Sequence, residues 1–385
     1  MIHSRLVAGL TVIIVFFIFI LQFHEKTQFL PFDKNTLFSN PNTNHNRFKG
    51  SLEDLVRSHS THKLQTSNKN VTKLYYETTP LCMAISGSDF MEIFDKEDEK
   101  IKVARLNGTI PKFIHQSWKQ YKLEDKFYYW HTSWRELHPD WIYVFWTDSD
   151  NENLVRKHFP WFWETYNSLE LVILKADVAR NMYMYKYGGV YADLDMQCLR
   201  NMEGLFNKYT QDMIANSAQR DQDDAGREQL YSLAFLAQMG TNSDWGHSVP
   251  NAWMASSGGH PLWLMTLEET RKRFDEIHGG AEDLTGPVSL KRQMERYFNE
   301  YLDDRKKIYV WAKRMGITNM VYTEYDIHHS CKVIGDDFIY PFNWADKTTD
   351  RNKYCNFRSD DFSEAKCKEV VHGAYAVTFW SHSWE

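Results

Sequence analysis

Apolar and polar positions divide the chain into three regions. Leu6 to Leu21 is almost wholly apolar, preceded by Arg5 and followed by His24, Glu25 and Lys26. Extended to Phe23, this run would form a helix of about 27 Å, suited to the thinner bilayers of the early secretory route. Bulky and charged residues follow it in place of a small-residue cleavage site, so residues 6–23 read as an uncleaved transmembrane anchor. Arg5 favours a cytosolic tail of residues 1–5 and a lumenal remainder, a single-pass type II arrangement. Residues 24–106 begin with a stretch rich in Asn, Lys, Ser, Thr and His and lacking periodicity, and they read as a flexible stem.

From about Asn107 to Glu385 short apolar runs alternate with helical stretches, which predicts one folded domain over 107–385. Ile110 to Gln116 predicts a first strand, Glu124 to Leu137 an aromatic-rich helix, and Trp141 to Trp146 a continuously apolar strand buried on both faces. Thr147, Asp148, Ser149 and Asp150 supply cap residues for a short helix. A long helix is predicted from about Leu169 to Tyr187, stopped by Gly188 and Gly189, with a buried strand end at Val190 to Ala192. The βαβ order predicts an α/β fold with a parallel sheet and helical crossovers. Ligands of such sheets bind beyond the carboxyl ends of the strands, where Gln116, Thr147 or Asp148, and Asp193 would stand. The polar stretch Ser217 to Gln229 predicts a surface loop whose acids, Asp221, Asp223 and Asp224, are solvated.

Composition narrows the classes. A net charge of −6 over 385 residues excludes a nucleic-acid binder by charge. The 14 Trp, 21 Tyr and 24 Phe are chiefly core filler, with some free to stack on rings of a ligand. The five cysteines Cys82, Cys198, Cys331, Cys355 and Cys367 permit up to two disulfides and leave one thiol, in keeping with an oxidising compartment. The sequons Asn70-Val71-Thr72 and Asn107-Gly108-Thr109 agree with lumenal exposure.

The candidate chemistry lies between Asp177 and Asp195. Asp177 and Arg180 are three apart and share a helix face. Asp193 and Asp195 follow a strand end and are separated by one residue, so both can reach one cation, and hard oxygen ligands of this kind suit Mn²⁺ or Mg²⁺.

Ile110 to Trp118, His138 to Asp148, Ala176 to Arg180, Tyr187 to Asp195, Asn251 to Pro261, Thr285 to Pro287 and the terminal Ser383-Trp384 together resemble, in order, the family 32 glycosyltransferases. The resemblance implies a Rossmann-like nucleotide-binding sheet of the glycosyltransferase A type. It implies Asp195 as the principal metal carboxylate and Asp193 as its partner toward the donor ribose or the metal. Asp177 and Arg180 would contact the donor sugar. His115, Gln116 and Trp118 would receive the nucleoside, Asn251 would lie beside the sugar pocket, and Ser383 and Trp384 would close over the diphosphate. Thr285-Gly286-Pro287 would cap the following helix or position the acceptor. Relatives often carry a His where Thr378 stands, which leaves the last metal ligand open.

The expectation is therefore a Mn²⁺- or Mg²⁺-assisted transferase, anchored in the Golgi or ER membrane with its catalytic domain in the lumen. It would move a hexose, mannose from GDP-mannose, onto a glycan with retention, alone or in complex with other transferases. Alternatives are a UDP-hexose donor, an inositol-sphingolipid acceptor, a phosphotransferase with Asp193 as nucleophile, and a non-catalytic partner of another transferase. Gln197, where the phosphotransferase motif would carry Thr or Val, speaks against the third.

Overall fold

The computed structural model describes residues 83–97, 99–220, 230–274, 280–302, 305–317, 327–345 and 347–381. The anchor read over 6–23, the sequon at Asn70, Cys82, the acids Asp221, Asp223 and Asp224, and Ser383 with Trp384 lie outside these residues. Among the described residues no helix is long and apolar enough to cross a membrane.

The strands are β1 (Met83–Ser86), β2 (Phe113–Ser117), β3 (Ile142–Trp146), β4 (Gly189–Ala192), β5 (Met196–Cys198), β6 (Leu230–Ala237), β7 (Trp253–Ser256), β8 (Ile327–Ile334) and β9 (Ala376–Thr378). One seven-stranded sheet has the order β1-β3-β2-β4-β7-β6-β8, and β5 pairs with β9 apart from it. Pairing is parallel from β1 through β3 and β2 to β4 and between β6 and β8, whereas β7 is antiparallel to both neighbours. The fold is thus mixed α/β with a mostly parallel central sheet. The carboxyl ends of β2, β3, β4, β6 and β8 emerge at one end, beside the amino end of β7.

The sheet forms where apolar runs are long enough to be covered on both faces. Every residue of β3 is buried, and the helix Val172–Lys186 is buried continuously from Asp177 to Tyr185 against that face. Its Tyr183 ring stacks on Trp146 with centroids 4.4 Å apart, while Phe90 wedges edge-on against Phe113 at 5.1 Å and Tyr187 at 5.0 Å. Thr147 caps the helix Asp148–His158 through a reciprocal capping box with Asp150. Gly188 and Gly189 have φ of 69° and 91°, the left-handed backbone that lets the long helix stop and β4 start within two residues.

Three sequence expectations change. Residues 83–104 fall in the stretch read as stem, yet β1 pairs in register with β3, and Phe90 and Phe94 of the helix Gly87–Asp95 are core residues. A four-residue strand after a polar stretch is too short to announce itself by periodicity. The helix expected over Glu124–Leu137 begins as a 3₁₀ turn at Asp125–Phe127 before the α-helix Tyr128–Leu137. The helix Glu203–Arg220 runs into the polar stretch expected to be loop from Ser217. Cys355 and Cys367 form a disulfide, and Cys198 and Cys331 are buried thiols.

Candidate active site

Asp177 and Arg180 lie one turn apart on the helix Val172–Lys186, each only 4% exposed. Asp177 Oδ1 accepts from Arg180 Nη2 at 3.1 Å and from Asn251 Nδ2 at 2.9 Å, and its Oδ2 accepts from Thr285 Oγ1 at 3.0 Å. Arg180 Nη1 donates to the Asn251 carbonyl at 2.9 Å and reaches Asp193 Oδ1 at 3.3 Å. The guanidinium sits over the Tyr191 ring at 4.7 Å, and the Tyr191 hydroxyl donates to Asp193 Oδ1 at 2.6 Å. Helix, strand end and two loops thus converge on one point beyond the carboxyl end of β4.

The Asp193-Leu194-Asp195 turn is held from both sides. Asp193 N–H donates to the Ala252 carbonyl at 2.8 Å, and Gln116 Nε2 donates to the carbonyls of Ala192 and Asp193 at 3.3 and 3.1 Å. On the other side the carboxyl-terminal segment crosses Asp195. Phe379 N–H donates to the Asp195 carbonyl at 3.0 Å, and Ser381 donates to Asp195 Oδ2 through its N–H at 2.8 Å and its hydroxyl at 3.0 Å. Between them Trp380 has φ of 50°, with its ring stacked on Tyr340 at 6.0 Å. A non-glycine residue in this region stores backbone strain, here in the segment that lies against the Asp195 carboxylate.

Electrostatics follow from crowding acids in a dry place. Burial and the neighbouring Asp193 charge push the Asp195 carboxyl up to about 6. Burial also raises Asp177, against the pull of Arg180. Burial opposes the Arg180 charge, but Asp193, Tyr191 and Asp177 outweigh it and keep the guanidinium ionised. Asp177 and Asp193 share the one Arg180 guanidinium while Asp195 is charged only against Asp193, an excess of acid that a divalent cation would offset. Among the described residues no three His, Cys, Asp or Glu side chains form a complete metal cage. Asp193 and Asp195 instead fit a cation such as Mg²⁺ that binds one or two carboxylates and fills its remaining positions with water and phosphate oxygens.

The structure separates the other expected residues. His115 is fully buried, its Nε2 donating to the Gly188 carbonyl at 2.9 Å and its Nδ1 accepting from Trp146 Nε1 at 3.1 Å. Burial holds its pKa down to about 3, so it is a neutral core imidazole with no edge left for a nucleoside. Gln116 is likewise fully buried, its Oε1 accepting from the Tyr143 hydroxyl at 2.8 Å; it positions the Asp193 backbone. Trp118 stands partly exposed just past β2, edge-on to Phe127 at 4.9 Å, with its indole N–H unpartnered. Asn251 lies in the site, bridging Asp177 and Arg180. Tyr191 and Ser381 were not foreseen as site residues, and Thr285, expected to cap a helix or position the acceptor, instead donates to Asp177. For Thr285 the Thr-Gly-Pro motif was the available signal, and its partner Asp177 is 108 residues away.

Residues 124–217 match the family model described as a glycosyltransferase sugar-binding region containing a DXD motif. Asp177, Arg180 and the Asp193-Leu194-Asp195 turn all lie within it. Inositol phosphoceramide mannosyltransferase 3 of Schizosaccharomyces pombe is 37% identical over 120 residues, 31% of this chain and 33% of the relative. Mannosyl phosphorylinositol ceramide synthase CSH1 of Saccharomyces cerevisiae is 36% identical over 197 residues, 49% of this chain and 51% of the relative. Inositol phosphoceramide mannosyltransferase 2 of Schizosaccharomyces pombe is 36% identical over 215 residues, covering 52% and 53%. The match therefore spans between a third and about half of the length of these curated relatives. Residues 124–217 are thus similar to the sugar-binding region, containing a DXD motif, of glycosyltransferases.

Proposed function

We propose that the protein is a metal-assisted mannosyltransferase that uses GDP-mannose and an inositol phosphoceramide type of glycolipid acceptor, with retention, on a sheet of the glycosyltransferase A type. The observation that carries this reading is the convergence of Asp177, Arg180, Asp193 and Asp195 at the carboxyl end of the sheet, inside the matched sugar-binding region. The relatives, named as an inositol phosphoceramide mannosyltransferase and a mannosyl phosphorylinositol ceramide synthase, support mannose as the sugar and the glycolipid as the acceptor, ahead of a glycan acceptor or a UDP-sugar. The Cys355–Cys367 disulfide and the exposed Asn107 of the second sequon support a lumenal catalytic domain held at the Golgi or ER membrane by the run at 6–23.

Each side chain then has a task. When bound at Asp193 and Asp195, Mn²⁺ or Mg²⁺ would offset the negative charge that develops on the departing diphosphate. Arg180, kept ionised and aimed by Asp177 and Tyr191, adds a fixed positive group to the same region. Asp177 is locked by Asn251 and Thr285, and its one remaining lone pair, on Oδ2, can accept from a sugar hydroxyl. Ser381 and Phe379 fix the orientation of Asp195, which ties its carboxylate to the carboxyl-terminal segment.

The test is transfer by the purified protein from GDP-mannose, with UDP-sugars as the comparison and with Mn²⁺ present or chelated. We expect mannosylated product from GDP-mannose that needs the cation and is lost at least about a hundredfold in Asp195→Ala. No metal-dependent turnover of any sugar nucleotide would overturn the proposal.

A further inference from the structure

We infer that Trp245, His247 and Trp344 form an acceptor subsite that takes the face of a polyhydroxylated six-membered ring, a sugar or a cyclitol. This rests on the transferase reading above and extends it to the second substrate.

The loops after β6 and β8 emerge at the same end of the sheet as Asp193 and Asp195, and their aromatic rings meet there. Trp245 and Trp344 have centroids 5.7 Å apart at 50°, Trp245 and His247 5.3 Å apart, and His247 and Trp344 6.2 Å apart at 87°. All three remain partly exposed, in contrast to the core residues Trp253 and Trp263, which are 0% exposed. The backbones that carry them are fixed. Ser248 N–H donates to the Trp245 carbonyl at 2.9 Å, Met239 N–H to the Ser248 carbonyl at 2.8 Å, and Asn352 Nδ2 to the carbonyls of Asn343 and Trp344 at 3.0 and 3.1 Å. A cluster held open to water on rigid loops is preorganised to bind, since little ordering remains to be done.

The cluster also joins the sugar site through short links. The loop that carries Trp245 and His247 runs on to Asn251, the partner of both Asp177 and Arg180. His247 Nε2 lies 3.8 Å from Glu282 Oε2 on the helix Ala281–Leu284, and the residue that follows this helix is Thr285, which donates to Asp177. An acceptor ring lying on the indoles would thus be flanked by the elements that hold the donor-sugar carboxylate. An indole offers a broad apolar face with one polar edge. Sugar and cyclitol rings present faces of C–H groups with hydroxyls at the rim, where His247 and Glu282 supply donors and acceptors.

The experiment uses the full chain and its Trp245→Ala, Trp344→Ala, Trp245→Phe and Trp344→Phe variants. Saturation-transfer NMR with methyl α-mannoside and with myo-inositol reads ring binding directly and distinguishes the two sources of the ring. Acceptor KM and the melting shift produced by GDP-mannose with Mn²⁺ are measured in parallel. The inference predicts ring-proton saturation for at least one probe, lost in the Ala variants together with an about tenfold rise in acceptor KM. The Phe variants should keep both within about threefold, and the donor shift should stay unchanged throughout. An unchanged acceptor KM in the Ala variants, or a loss of donor affinity that accompanies it, would overturn the subsite. A wild-type chain with no donor shift would overturn the transferase reading and the subsite together.

Discussion

Asp195 is the residue where ionisation, the proposed cation site and the carboxyl-terminal segment meet. Its carboxyl stands at about 6 against an ordinary 3.8, because it is desolvated beside Asp193. The native state therefore holds a proton that the unfolded chain has released between these values, so protonation favours the fold below about 4. That contribution is lost as pH rises through about 6, above which the ionised carboxylate is a cost until a cation relieves it. Asp195→Asn should consequently raise the cation-free melting temperature at pH 7 by about 2–5 °C and abolish the response to Mn²⁺. Wild type should lose its Mn²⁺-induced stabilisation as pH falls below about 6, and melting curves from pH 5 to 8 with and without Mn²⁺ check both. The proximity of Asp177, Arg180, Asp193 and Asp195 was legible because they lie close in sequence on a helix and just past a strand end. Ser381 was not, because its bond to Asp195 spans 186 residues. For His115 the sequence left a nucleoside contact and a core imidazole both open, and its place within β2, with the Gly188 carbonyl and the Trp146 indole on its two ring nitrogens, favours the core imidazole.

At the scale of elements, the Gly188-Gly189 stop controls the site. A Cβ on Gly189 would stand 2.6 Å from the Phe113 carbonyl at a φ of 91°, so both the space and the backbone exclude a side chain. Gly189→Ala should cost about 3 kcal/mol or more, read as a lower midpoint in urea, and should weaken donor binding by displacing the Asp193 turn. The apolar runs that became β2, β3 and β4 were legible within a few residues, since strands buried on both faces carry nearly unbroken hydrophobic sequence. The three-residue strands β5 and β9 were not. Their pairing brings Met196 opposite Thr378 and lays the carboxyl-terminal segment across Asp195, a contact between segments too short to show a period of two. β1 was hidden in the same way and drew the stem boundary too far along the chain.

At the scale of the molecule, strand order decides what the sequence leaves open. The parallel run β3-β2-β4 follows from the βαβ alternation, but β1 at its edge and the reversal at β7 have no local signature. That reversal places the amino end of β7 beside the carboxyl end of β4, and so delivers Asn251 and the loop bearing Trp245 to the acidic turn. The site is thus assembled from segments spread between Asp177 and Ser381, and binding there should stabilise the whole fold. The most direct measurement is the melting shift of the wild-type protein with GDP-mannose and Mn²⁺ together, beside the same titration of Asp195→Asn and Arg180→Ala. At a ligand concentration of about a hundred times Kd, the wild type should gain about 2.7 kcal/mol, seen as a rise of several degrees that requires both ligands and is absent from both variants. An equal shift in the variants or without the cation, or no shift with any sugar nucleotide, would contradict the assignment of this cluster as a cation-assisted donor site.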